Sequence, residues 1–237
     1  MAVITEEAVR KLTADGEKTL HLAAGDIVTP AAREYIREQH IALAEATDCP
    51  NDQVVGEFET IFGVKLAQKP EYMTHLRGNL LVFKDHPRIA LRGKIDSLEA
   101  AIILLQLKAQ EKGDDELLKD LEEIISFIRQ LLRCEVSGEA VPEFQLLGLD
   151  ARSLREQSHH PSQYFGIRHF LPSVQYGEIV AQLNYLRTMA REVELAAFKA
   201  FQGAHGEMVR SDIIRAFNRL SSLFWIMMCK ERQKNEA

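Results

Sequence analysis

The stretch that most limits how this chain can fold is Leu183 to Phe201, LNYLRTMAREVELAAFKAF. It holds no glycine or proline, so nothing in it interrupts a helix. Leu186, Ala190, Val193 and Ala197 recur at helical spacing and predict one buried stripe. Beside that stripe Arg187, Arg191 and Glu194 fall at i, i+4 and i+7, which sets all three on one face about two turns long. Two guanidinium forks next to a carboxylate suit a ligand that carries phosphates together with a ribose or a metal ion. The same spacing also suits a solvated face of ion pairs, and spacing alone does not separate the two.

A second apolar helix adds weight to the ligand reading. SDIIRAFNRLSSLFWIMMCK has Ser211 at its N-cap, and its apolar residues, Ile213 to Met227, surround almost the whole cylinder. Asn218, Arg219 and Ser221 inside that run are costly unless they bond a ligand or a neighbouring helix.

Composition excludes several classes. Hydrophobic residues make up 46% of the chain, enough for a packed core, yet no apolar run reaches the ~18 residues of a membrane span. The first residues lack the basic-then-apolar profile of a signal peptide. Cys49, Cys134 and Cys229 are odd in number and far apart, which argues against a disulfide framework and predicts a reducing, cytoplasmic setting. With no CxxC or HExxH, no metal centre of those kinds is predicted. Residues 1–75 hold 7 Lys+Arg and 13 Asp+Glu and so carry the whole net charge of −6; residues 76–237 hold 22 of each. That split predicts a small acidic N-terminal segment and linker over 1–75 and a separate domain over 76–237. An acidic chain without a basic stripe is a poor nucleic-acid binder.

Residues 3–45 read as a small α/β piece: helices over VITEEAVRKL, capped by Thr5, and TPAAREYIREQH, capped by Thr29 with Pro30 at the first position, and strands over LHLAAGDIV and IALAE, with a turn at Gly25-Asp26. Residues 46–72 read as linker or loop. Arg77, Lys84, Arg88, Arg92 and Lys94 then form a basic island against Asp85 alone; Gly78 and Gly93 allow close backbone approach, and Pro87 is expected to block a continuous helix. Such an island suits an anion such as triphosphate, or is a solvated loop. No GxxxxGK[ST] is present. A helix is predicted from an Asp96 N-cap to Gln110, another over Asp115–Cys134, a loop over 135–150 and a short helix over Arg152–Ser158. His159 and His160 read as helix-end residues, and YFGIRHFLPSVQYG as an irregular aromatic connection. No internal repeat is evident.

THLRGNLLVFKDHPRIALRGKIDSLEA, LRTMAREVE and FNRLSSLFWIMM resemble the ethanolamine-utilisation branch of the ATP:cob(I)alamin adenosyltransferases, and more distantly the propanediol-utilisation branch. The resemblance covers residues 70–230, and TPAAREYIRE resembles the N-terminal region of the ethanolamine branch. It implies a mainly α fold, an up-and-down bundle of about five helices, assembled as a homo-oligomer, often a trimer, with ATP between subunits. It implies transfer of the 5′-deoxyadenosyl group of ATP to Co(I) of cobalamin, with Mg²⁺. Residue by residue, Arg187 matches an arginine that pairs with an aspartate of the neighbouring subunit, and Asp96 matches that aspartate. Arg191 is expected on the phosphates, Glu194 near ribose and metal, Asn218 and Arg219 at the last-helix Asn-Arg pair, and Thr74, Arg77, Lys84 and Arg88 in the phosphate-binding segment. Phe170, and after it Phe165, are the candidates for an aromatic wall against the corrinoid, although ordinary core packing is equally open to both rings. The glycine- and threonine-rich N-terminal phosphate loop of the propanediol branch is missing. Where some ethanolamine-branch enzymes carry a Cys-Cys-x-x-Cys cluster, this chain has Phe58 to Phe62, so no structural iron or zinc is expected. The branch implies a cobalamin-dependent ammonia-lyase and its reductase as partners and residence in a bacterial microcompartment. Two other classes stay open: a corrinoid carrier without turnover, and a helical microcompartment interaction protein.

Overall fold

In the computed structural model the described residues are 3–14, 19–22, 26–39, 41–45, 57–203 and 205–236. The chain divides into two compact units, Met1–Val55 and Gly56–Ala237.

The first unit runs strand–helix–strand twice: β1 (Val3–Ile4), α1 (Glu6–Ala14), β2 (Thr19–Leu22), then β3 (Ile27–Val28), α2 (Pro30–Glu38), β4 (Ala42–Glu45). The halves pair in parallel, β1 with β3 and β2 with β4. Both helices start at a threonine whose hydroxyl accepts from the amide three residues on, Thr5 from Ala8 and Thr29 from Ala32. Val9, Leu20, Val28, Ala32, Ile36 and Ile41 form its core. The repetition is hidden in the sequence because pairing, and not residue identity, carries it. LHLAAGDIV is therefore two strands belonging to different pairs. Gly25 of the expected turn, and residues 46–56 of the expected linker with Cys49, lie outside the described residues.

The second unit begins with a four-stranded sheet ordered β6-β5-β8-β7: β5 (Phe58–Thr60), β6 (Lys65–Leu66), β7 (Met73–Arg77) and β8 (Leu80–Phe83). Residues 58–72 are thus not simply linker. Their strands are short and lack alternation, and the Thr60 hydroxyl closes the β5–β6 turn by accepting from Phe62 and Val64. The β7–β8 pair bulges between His75 and Arg77 and turns at Gly78, whose φ of 54° favours glycine.

Four long helices follow, with a shorter one packed on them: α3 (Pro87–Lys112), α4 (Asp115–Ser137), α5 (Ala151–His159), α7 (Gly177–Phe201) and α8 (Ser211–Glu236), with α6 (Pro161–Phe165) a single turn. Pro87 does not block a helix; it starts one. It occupies the first position of α3, where its missing N–H costs nothing, and His86 Nδ1 caps by accepting from Arg88 N at 3.2 Å. Asp96 is consequently no N-cap but stands well inside α3 on an exposed face. Within 135–150 a hairpin forms, β9 (Gln145–Leu146) with β10 (Leu149–Asp150). Helix α7 packs along both α8 and α3, α3 along α4, and α5 against α8. Leu186, Ala190, Val193 and Ala197 are all buried, as their spacing predicts. No helix among the described residues is long and apolar enough to cross a membrane.

Candidate active site

Because α7 and α8 lie side by side, the polar face of one meets the polar interruption of the other. Asn218 Nδ2 donates to Glu194 Oε1 at 2.9 Å, and Arg219 Nη1 donates to Asn218 Oδ1. Ser221 and Ser222 donate to the Asn218 carbonyl one turn back, so these hydroxyls are satisfied within their own helix. Arg219 Nε is buried with no acceptor. Burial lowers the Arg219 pKa, helped by Arg155 and Arg215 nearby.

One turn further along α7 an open cleft of about 410 Å³ begins. Its cationic side is Arg187 and Arg191; its aromatic side is His169, Phe170 and Trp225, with Ser221 and Ser222 between. Arg187 is half-buried and donates from Nε (3.2 Å) and Nη2 (2.9 Å) to Asn184 Oδ1. Its pKa is lowered by burial and then by Arg191, so two like charges share the wall of one cleft. Such a pair is stabilised by any anion that enters, since a guanidinium does not deprotonate to relieve the repulsion. Trp225 stacks flat on His169, ring centroids 5.5 Å apart at 12°, and touches Phe170 at 4.9 Å.

The structure therefore brings Arg187, Arg191 and Phe170 to one cleft, with Glu194, Asn218 and Arg219 bonded together at its edge. Phe165 is buried in the main core and does not line the cleft. Thr74, Arg77, Lys84 and Arg88 do not line it either. Thr74 pairs with Val82 in the sheet, and Lys84 Nζ meets the exposed Glu71 at 3.0 Å. Arg88 is committed elsewhere. With Arg92 it clamps Glu135 at the end of α4, a carboxylate that is fully buried. Arg88 Nη2 also donates to Glu135 O at 2.6 Å, and Arg92 Nη2 to Leu76 O at 2.7 Å. Arg92 thereby fastens the bulge of the β7–β8 hairpin to the bundle. Arg88 lines a second hollow of about 290 Å³ with Phe201 and Arg210 at the far end of α7, and Arg77 Nη1 reaches the same place beside Gly138. From Arg191 to Phe201 is ten residues of helix, roughly 15 Å. Asp96 and Arg187 are not bonded to each other within one chain; Lys94 on α3 instead meets Glu192 on α7 at 2.6 Å.

Trp225 and His169 were not legible as site residues. Trp225 sits in an apolar run that reads as core, although Asn218, Ser222 and Trp225 at i, i+4 and i+7 share a face, which is the signal that could have found it. Among the described residues no group of three or more His, Cys, Asp or Glu side chains is placed to hold a metal ion.

The model of the family described as cobalamin adenosyltransferase matches residues 65–231. The chain is 33% identical over 229 residues to the corrinoid adenosyltransferase EutT of Salmonella typhimurium, covering 88% of this chain and 84% of that protein. It is 29% identical over 228 residues to the corrinoid adenosyltransferase EutT of Escherichia coli K12, with the same coverage. No solved structure matches.

Proposed function

This chain belongs to the cobalamin adenosyltransferase family, and from that membership we propose that it transfers the 5′-deoxyadenosyl group of ATP to Co(I) of cobalamin, making adenosylcobalamin for ethanolamine breakdown. The observation that carries the reading is the cleft itself: a pair of guanidinium groups, Arg187 and Arg191, shares it with an aromatic wall of Phe170 and Trp225, whose rings are tilted 30° to each other. A polyanion and the face of a large ring system are the two kinds of ligand that such a lining contacts.

In the reaction the Co(I) electron pair attacks C5′ of ATP. The C5′–O5′ bond breaks, the triphosphate departs with its pair of electrons, and cobalt rises formally to Co(III). The protein supplies position and charge, and no nucleophile of its own. Arg191 offsets the charge that grows on the leaving phosphates. Glu194, oriented by Asn218, would fix the ribose end, and its second carboxylate oxygen would be the group to hold Mg²⁺, which would supply further positive charge at the phosphates. The chemistry belongs to the second unit, Gly56–Ala237, and with it to the helical domain expected over 76–237.

We also propose that the site is completed by a second copy of the chain. Arg77, Arg88 and Lys84 stand away from the Arg187–Arg191 cleft, and a triphosphate is shorter than the interval along α7 between Arg191 and the Arg88 hollow. Asp96, exposed on α3, is free of Arg187 in its own subunit and available to the Arg187 of a neighbour. Ile103, Leu104 and Leu107 on α3, exposed by 40%, 65% and 52%, supply an apolar surface for that contact; a trimer is the assembly we favour. Residence in a microcompartment beside an ammonia-lyase and its reductase follows from the same reading.

The test is anaerobic: protein, chemically reduced cob(I)alamin and Mg-ATP, with the Co(I) absorbance followed. Loss of that band with growth of a light-sensitive alkylcobalamin spectrum is the expected result. Arg191→Ala should slow it about a hundredfold. A shifted corrinoid spectrum without turnover would instead mark a carrier.

A further inference from the structure

Phe170 is partly buried against the main core, but the segment that carries it has little regular structure. It lies in the irregular connection between α6 and the 3₁₀ turn at Val174–Tyr176, and its neighbours Leu171 and Val174 are 87% and 92% exposed. What fixes the ring comes from α8. Trp225 and Arg232 are two turns apart on one face of that helix, about 10 Å along its axis. The Phe170 ring is inserted between them, its centroid 4.9 Å from that of Trp225 and 4.7 Å from the Arg232 guanidinium. Arg232 lies equally over Tyr176, at 4.4 Å, and Tyr176 meets Phe170 edge-on at 5.1 Å and 72°. Asn235 Nδ2 donates to the Tyr176 carbonyl at 3.4 Å, tying the same turn to the same helix. Beyond Trp225, His169 completes the stack.

Tyr176, Arg232 and Phe170 thus close a triangle of mutual contacts that continues through Phe170 to Trp225 and His169, in the order Tyr176, Arg232, Phe170, Trp225, His169. The last three line the cleft; Arg232 and Tyr176 do not. Trp225 Nε1 is buried without an acceptor, so the indole is held by shape and ring contacts and not by a hydrogen bond.

We infer that Arg232 is a positioning residue for the corrinoid half of the reaction: it holds Phe170 against Trp225, and the closed pair of rings keeps the lower axial ligand off cobalt. The inference rests on the adenosyltransferase reading of the cleft. A guanidinium is planar and always charged, so it covers two rings at once and does so at every working pH. An ammonium covers one ring poorly, and an aliphatic side chain loses the attraction altogether. Without the clamp Phe170 keeps its contacts with the core, Trp225 and Tyr176 but loses the guanidinium that presses it onto the indole, so the ring can tilt away from Trp225 and the wall opens beside cobalt. Four-coordinate Co(II) is the form that accepts an electron most readily, so an open wall should slow formation of Co(I) and leave ATP binding alone.

Two corrinoids separate this role from a general structural one. Cobalamin carries a lower nucleotide ligand that must be displaced; cobinamide has none. The wild type, Arg232→Leu, Arg232→Lys and Trp225→Ala are assayed as full chains with Mg-ATP, either cob(II)alamin or cob(II)inamide, and a one-electron reductant too weak to reduce the free corrinoid. The four-coordinate cob(II)alamin fraction is read by electron paramagnetic resonance. Arg232→Leu is expected to lose about tenfold in kcat with cobalamin but less than about twofold with cobinamide, with KM for ATP unchanged and Arg232→Lys intermediate. The four-coordinate signal should fall in parallel. Trp225→Ala, which opens the wall from the other side, should reproduce the split if Arg232→Leu fails to fold. Equal losses with both corrinoids, or an unchanged four-coordinate fraction, overturn the inference while a turning-over wild type leaves the adenosyltransferase reading intact. A wild type that forms no cobalt–carbon bond with either corrinoid sinks that reading, and this inference with it.

Discussion

Replacing Glu135 by Gln should unfasten the sheet from the bundle. Glu135 is fully buried, and each carboxylate oxygen accepts from one guanidinium, Oε1 from Arg88 Nε and Oε2 from Arg92 Nε, the latter at 2.6 Å. The amide leaves one oxygen acceptor and turns an NH₂ toward the other arginine, so one charge-assisted bond is lost and a donor faces a donor. Removing one member of a fully buried pair costs about 3–5 kcal/mol. Arg88 and Arg92 keep 23% and 18% of their side-chain surface exposed and retain carbonyl partners, Glu135 O for Arg88 and Leu76 O for Arg92, which moderates the loss. The expectation is therefore about 2–3 kcal/mol. For a unit of this size that lowers the melting temperature by roughly 5–10 °C. The assay is urea unfolding at pH 7 followed by circular dichroism, repeated at 0.1 and 0.5 M salt. Because the pair is shielded from solvent, the difference should persist at high salt. A loss under about 1 kcal/mol, or one that salt erases, would refute the view that the Glu135 clamp is a buried structural pair.

Two other outcomes are expected. Burial alone would raise the Asp212 carboxyl, but hydrogen bonds from Arg210, Val141 N and Ile213 N, with the Arg210 charge, outweigh it and lower the pKa from 3.8 to about 2. A depressed carboxylate contributes stability above its unfolded pKa and loses it as pH falls through the folded one, so Asp212→Asn should cost on the order of 1 kcal/mol at pH 7 and progressively less between pH 4 and pH 2; a difference independent of pH in unfolding titrations would count against this. For the proposed intersubunit pair, Arg187→Ala and Asp96→Ala should each raise KM for ATP and shift the assembly toward monomer in sedimentation, and the double variant should lose no more than either alone, whereas additive effects would show that the two side chains do not meet.

Much of the fold was legible because helix periodicity is local. The buried stripe of α7, the all-round burial of α8 and the Thr29–Pro30 start of α2 each depend on residues within a few positions of one another. Reading failed where a local rule had two outcomes. Pro87 breaks a helix from inside but opens one at its first position, and only the His86 cap reveals which, so the true start of α3 lies well before Asp96. The candidate site divided in the same way: Arg187, Arg191 and Glu194 share a face by spacing alone, whereas the commitment of Arg88 to Glu135 joins residues far apart in the chain, beyond any local pattern.

Composition, helical spacing and the motif residues were enough to specify a mainly α chain, the arginine face of α7 and the family to which it belongs. Side-by-side packing of α7 and α8 decided that Asn218 would orient Glu194, that Trp225 and His169 would wall the cleft, and that Arg232 would stand behind Phe170. Spacing along one helix is set by covalent geometry, which the sequence carries in full. Which faces meet is set by the burial of apolar surface summed over the whole bundle, and that sum exists only once the chain has folded.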